Sequence, residues 1–122
     1  MNKLLITAVA AVLFAAVSLH AAAQKPTSVI HVVTIKWKAG TTPDQIVSAL
    51  KGAEAIANTY TGITRVWTRS IKVQGEGYTH ALVMEFRDEQ ALKDYVDSPA
   101  QKEWYEIYLP LREESTTHDI TN

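Results

Sequence analysis

The chain has no cysteine. That absence excludes disulfide bonds, thiol nucleophiles and cysteine-zinc centres. Glycine and proline are sparse, five and four in 122 residues, and they form no tract that would serve as a linker between domains. Neither sign of charge is in excess: 12 Lys and Arg stand against 13 Asp and Glu, a formal net charge of −1. A nucleic-acid partner would need a basic face, so none is expected. No H-E-x-x-H pair, no G-x-S-x-G elbow and no glycine-rich phosphate loop is present. The histidines and acids show no metal-ligand spacing, and no cofactor is expected.

Only one long apolar run occurs, and it stands at the N-terminus. Met1-Asn2-Lys3 carries one positive charge, Leu4 to Leu19 is uncharged, and Ala21-Ala22-Ala23 precedes Gln24. A basic start, an apolar stretch and small residues at an A-x-A site make a secretory signal peptide. A membrane anchor needs about 20 apolar residues and a basic cluster after them. Both are missing here. Cleavage after Ala23 is expected, which sends residues 24–122 to the periplasm or the medium with no stable membrane insertion. Those 99 residues suit a single domain with a modest core, and pairing would add buried area. Three histidines remain in it: His31, His80 and His118.

The pattern predicts alternating strands and helices. Ile30 to Trp37 is a strand, apolar on both faces. Thr42-Pro43-Asp44-Gln45 starts a helix with a capping box, and Ile46, Leu50, Ala53 and Ala57 recur at helical spacing. Gly52 weakens that helix or admits a close neighbour. Ile63 to Val73 reads as a second strand, Gln74 to Gly77 as a hairpin-like loop, and Tyr78 to Phe86 as a third strand. Asp88 caps a helix through Val96. Ser98-Pro99-Ala100-Gln101 forms another capping box and restarts a helix to about Leu109. Pro110 ends it, and Ser115 to Thr121 closes the chain as a short strand. The order β-α-β-β-α-β is the ferredoxin-like α+β arrangement. Helices cover one sheet face. The other keeps apolar residues such as Ile30 and Val32, and a second copy of the chain is the simplest cover.

Five segments in this order carry a family resemblance. They are Ile30-His31-Val32-Val33, Lys36-Trp37-Lys38, Tyr78-Thr79-His80, Asp94-Tyr95 and Ser98-Pro99-Ala100. Together they resemble the stress-responsive A/B barrel (Dabb) family over about Val29 to Ile120. The resemblance implies a dimeric α+β barrel in which each subunit holds a pocket between sheet and helices. The family includes plant stress-induced proteins and a polyketide cyclase that closes a ring by aldol condensation. Carried over by residue, the cyclase's site histidines fall on His31 and His80, its tyrosine on Tyr95 and its C-terminal-strand acid on Asp119. Its general base is a histidine two residues after the proline of the second helical segment, and that position here is Gln101. Glutamine has no titratable proton near neutral pH and cannot take the base's role.

The residues themselves admit two roles each. His31 shares a strand face with Val33, Ile35 and Trp37. It is either a proton shuttle and ligand contact, with a reference pKa of about 6.5, or a buried histidine satisfied by a neighbour. His80 alternates with Leu82, Met84 and Phe86, which favours a structural place over ligand contact. Tyr95 either donates to a developing oxyanion or packs in the core. Trp104 and Tyr108, four residues apart, share a helix face and either wall a pocket or pack on a partner. His118 and Asp119 point to opposite sheet faces and cannot pair with each other. Asp119 is placed to orient a ring nitrogen or a tyrosine, and Gln101 to hold a ligand. Arg112-Glu113-Glu114 reads as a solvated face. The expected function is a homodimeric, stress-associated protein that binds a small molecule; the alternative is a lyase or isomerase of a carbonyl compound using His31 and Tyr95.

Overall fold

A computed structural model describes residues 21–122. The expected signal segment, residues 1–23, lies outside the described residues except for its last three. The elements run β1 (Val29–Trp37), α1 (Pro43–Thr59), β2 (Ile63–Trp67), β3 (His80–Phe86), α2 (Glu89–Tyr95), α3 (Pro99–Tyr108) and β4 (Arg112–Ile120). The four strands form one sheet in the order β2-β3-β1-β4, antiparallel throughout. This is the ferredoxin-like arrangement, with the second helix divided in two.

The helices start where local chemistry dictates. The Thr42 side chain accepts from the Gln45 amide while the Gln45 side chain accepts from the Thr42 amide, with Pro43 at the first turn. Asp88 caps α2 by accepting from the Ala91 amide at 2.8 Å. Ser98 caps α3 by accepting from the Gln101 amide at 3.2 Å. The expected second capping box is only half made. Gln101 Oε1 accepts from the Asp97 amide at 2.7 Å, one residue before the cap. Asp97 sits at φ 62°, a left-handed turn that aims its N–H back at α3.

Side chains at alternate positions divide the sheet. Val29, Val33, Ile35, Leu82, Met84 and Phe86 face the helices and are buried against Ala53, Ile56, Ala91, Tyr95, Trp104 and Tyr108. His31 lies on this face, in register with Asp119; Val33 is opposite Thr117 and Ile35 opposite Ser115. Ile30, Val32, Ala81 and Val83 lie on the other face, which no helix covers.

Three boundaries differ from the sequence reading. β2 ends at Trp67 rather than Val73. Beyond it Thr68 donates to Glu54 on α1, and the Ser70 hydroxyl serves both the N–H and C=O of Ala81, at 2.8 and 3.0 Å. A side chain therefore takes the ladder bonds that a continued strand would have made, and a twelve-residue connection replaces the expected four-residue loop. β3 correspondingly starts at His80 instead of Tyr78. β4 begins at Arg112, three residues earlier than expected, with a register shift opposite Lys36 and Trp37. It is an edge strand, where charged residues such as Glu113 and Glu114 are well suited.

Candidate functional site

A cavity of about 260 Å3 opens between the β1–β4 half of the sheet and the two C-terminal helices. Its floor is His31 and Val33 from β1 with Ser115 and Thr117 from β4. Leu92, Tyr95 and Val96 from α2 and Gln101, Trp104, Tyr105 and Tyr108 from α3 make the roof. Arg112 stands at the end where β4 begins. The split of the second helix builds this site. Breaking at Asp97 lets α2 and α3 present Tyr95 and Gln101 to one space.

His31 and Asp119 form a pair at one end, Nδ1 to Oδ1 2.5 Å. An ionised carboxylate only accepts, so this contact puts a proton on Nδ1 and leaves Nε2 as the ring atom that accepts. The His31 ring also sits edge-on to Phe86, at 5.9 Å between centroids. The pairing follows from strand register, the partners standing 88 positions apart in sequence.

Tyr95 is 2 % exposed, and its hydroxyl is buried without a hydrogen-bond partner. Its ring is fixed by Phe86 at 5.1 Å and Tyr60 at 5.6 Å. Burial, followed by repulsion from Tyr105 and Tyr60, pushes its pKa well above the ordinary phenol value. The group is thus an O–H donor throughout the physiological range and never a base. Tyr108 is equally buried, at 2 % exposed. Burial raises its pKa, partly offset by neighbouring Ser115 and Arg112. Leaving the buried Tyr95 hydroxyl unpaired costs about 1–3 kcal/mol.

The remaining wall is aromatic and rigid. Trp104 stacks on Tyr108 with centroids 4.4 Å apart and planes 6° from parallel. Its indole N–H donates to the Ala49 carbonyl of α1 at 2.9 Å, and the ring lies against Gly52, whose missing Cβ leaves it room. Gln101 lines the cavity, but both ends of its amide are engaged: the oxygen by Asp97, the Nε2 by the Tyr105 hydroxyl at 3.2 Å. It holds the turn and a wall tyrosine in place.

His80 is not brought to the cavity. Its Nδ1 accepts from the Trp37 indole at 3.0 Å, with the Thr79 hydroxyl 2.8 Å away. Desolvation lowers its pKa. An indole only donates, so His80 Nδ1 is unprotonated here. His118 is exposed on the far face. Of the residues singled out from sequence, the cavity therefore gathers His31, Tyr95, Gln101 and Trp104, with Asp119 behind His31.

Sequence reasoning missed Arg112, Ser115 and Thr117. Alternation with Asp119 pointed to Ser115 and Thr117. Arg112 breaks that alternation because the ladder shifts register at Lys36 and Trp37, and no sequence signal marks the shift. Among the described residues, no group of three or more metal-ligating side chains converges.

Comparison with known proteins agrees with this architecture. The family described as Stress responsive A/B Barrel Domain matches residues 29–122. A stress-response A/B barrel domain-containing protein of Arabidopsis thaliana, HS1, is 27% identical over 82 residues, covering 65% of this chain and 75% of that protein. A hydroxynitrile lyase from Passiflora edulis superposes with a TM-score of 0.70 at 18% identity, over 78% of this chain and 93% of the lyase. A dimeric Bacteroides fragilis protein of unknown function with a ferredoxin-like fold gives 0.65 at 18% identity, over 81% of this chain and all of its own. With the whole β-α-β-β-α-α-β fold inside the matched range, the chain belongs to the stress responsive A/B barrel domain family.

Proposed function

We propose that this protein is an exported homodimer that binds a small organic molecule in the cavity between sheet and helices. The observation that carries the reading is one aromatic-walled cavity that gathers His31, Tyr95, Gln101, Trp104 and Arg112. Pockets of this kind, mostly apolar with a few converging polar groups, are the usual form of a ligand site. Export rests on the Lys3, Leu4–Leu19 and Ala21–Ala23 pattern. Pairing is supported by the uncovered apolar sheet face and by the dimeric relative of like fold. The test is native mass spectrometry of protein taken gently from the periplasm. Dimers of chains starting at Gln24 and carrying a small extra mass are expected. A Thr117→Trp variant, which fills the cavity from the edge strand, is expected to lose that mass and keep the dimer. Bound mass that survives Thr117→Trp would refute the cavity as the site.

A second reading has its own support. His31 held by Asp119, with Tyr95 lining the same cavity and its phenol pKa raised by burial, supports proton movement at a carbonyl compound. A protein of like fold is a hydroxynitrile lyase. In that reading His31 Nε2 takes the proton and Tyr95 donates to the oxyanion. Gln101, whose amide is occupied on both sides, takes no proton. His31→Ala with an intact fold separates the two readings: the enzyme loses turnover, whereas the binding protein keeps its ligand.

A further inference from the structure

Arg112 is the one cation on the cavity wall, and no carboxylate lies within ion-pair distance of it among the described residues. Its only side-chain hydrogen bond is from Nη1 to the Ser115 hydroxyl at 3.3 Å, and its guanidinium lies 5.5 Å over the Tyr108 ring. The planar fork therefore keeps most of its donors free. No acid lines the cavity among the described residues; Asp119 lies behind His31 at the opposite end and is engaged by it. Four residue steps along β4 lead from Asp119 to Ser115, about 13 Å along the strand. Charge thus runs along the cavity, positive and unpaired at the Arg112 end, compensated at the His31 end.

We propose that the ligand is an organic anion, a carboxylate on a single aromatic ring. Its carboxylate pairs with Arg112, and its ring lies against the Tyr95, Trp104 and Tyr105 wall. A bidentate guanidinium–carboxylate contact fits the free fork, and about 260 Å3 admits one ring with a short chain. The inference rests on the cavity being the ligand site and adds the charge and shape of what enters.

The test uses 3-(4-hydroxyphenyl)propanoate and its carboxamide, which differ in charge and little else, titrated calorimetrically into the processed full-length protein. The acid is expected to bind about tenfold tighter than the amide at low salt, with that advantage shrinking as salt rises. Arg112→Gln is expected to abolish the preference; Arg112→Lys is expected to keep part of it. Equal affinities in the wild type, or a preference that survives Arg112→Gln, would overturn the anion assignment while the cavity reading stands. Failure of both compounds to bind would overturn the two together. Where Arg112→Gln does not fold, the salt dependence of acid against amide binding decides.

Discussion

At the scale of single residues, two side chains carry opposite relations to water and charge. Tyr95 contributes a hydroxyl that the free protein leaves unsatisfied. Tyr95→Phe removes that group, so the ligand-free protein should be as stable as the wild type or up to about 1 kcal/mol more stable in urea unfolding. A clear loss of stability would mean that the hydroxyl is satisfied after all. His80 gives the pH prediction. Its folded pKa is depressed by desolvation, and Trp37 can bond only the unprotonated Nδ1. The unfolded chain binds this proton more readily, at about 6.5, so the contribution is complete above that value and is lost as pH falls towards the lowered folded value. Melting temperature should drop between pH 7 and pH 5, and His80→Gln, which accepts from the indole at any pH, should flatten part of that drop. Identical pH slopes in the two proteins would contradict the assignment.

At the scale of elements, what was legible in the sequence was whatever local chemistry decides. Thr42, Asp88 and Ser98 mark the three helix starts because capping needs only neighbours in the chain. Alternation in β1 placed His31 on the helix face, and Gly52 announced a close approach that proves to be Trp104. The end of β2 was not legible, because Ser70 replaces a backbone partner through its side chain. Nor was Arg112, which reaches the cavity through a ladder shift that local pattern does not encode. The His31–Asp119 contact, left open by the residues alone, became certain only with the pairing of β1 and β4. The α1–α3 seam offers a direct check. A Cβ at Gly52 would stand 3.0 Å from Trp104 Cδ1, so Gly52→Val must move the indole and its bond to Ala49. A loss of about 1–3 kcal/mol is expected, together with weaker ligand binding, since Trp104 is cavity wall. Unchanged affinity with reduced stability would remove Trp104 from the binding account.

At the scale of the whole molecule, the sheet serves two spaces. One face holds the core and cavity. The other leaves Val32 directly opposite Val83, flanked by Trp67 and Ile120, which are 46% and 60% exposed. Glu85 on this face is buried and held by Arg65 and Thr64, so its charge is already compensated. Such a surface accepts a second sheet at the usual spacing of about 10 Å. Val83→Lys should therefore convert a dimer to a monomer in sedimentation velocity, whereas Thr117→Trp, on the cavity face, should leave the dimer intact. A Val83→Lys dimer would place the interface elsewhere.

The central claim, that ligands enter between helices and sheet, is tested most directly by the three indole N–H signals in a nitrogen–proton correlation spectrum. Trp104 stands on the cavity wall, Trp37 contacts Tyr108 from behind it, and Trp67 lies on the opposite face of the sheet. Titrated with a set of monocyclic aromatic acids and amides, the Trp104 signal is predicted to shift in a saturable way, Trp37 by less, and Trp67 not at all. Saturable movement of Trp67 with Trp104 unmoved would put the ligand on the uncovered face and contradict the account.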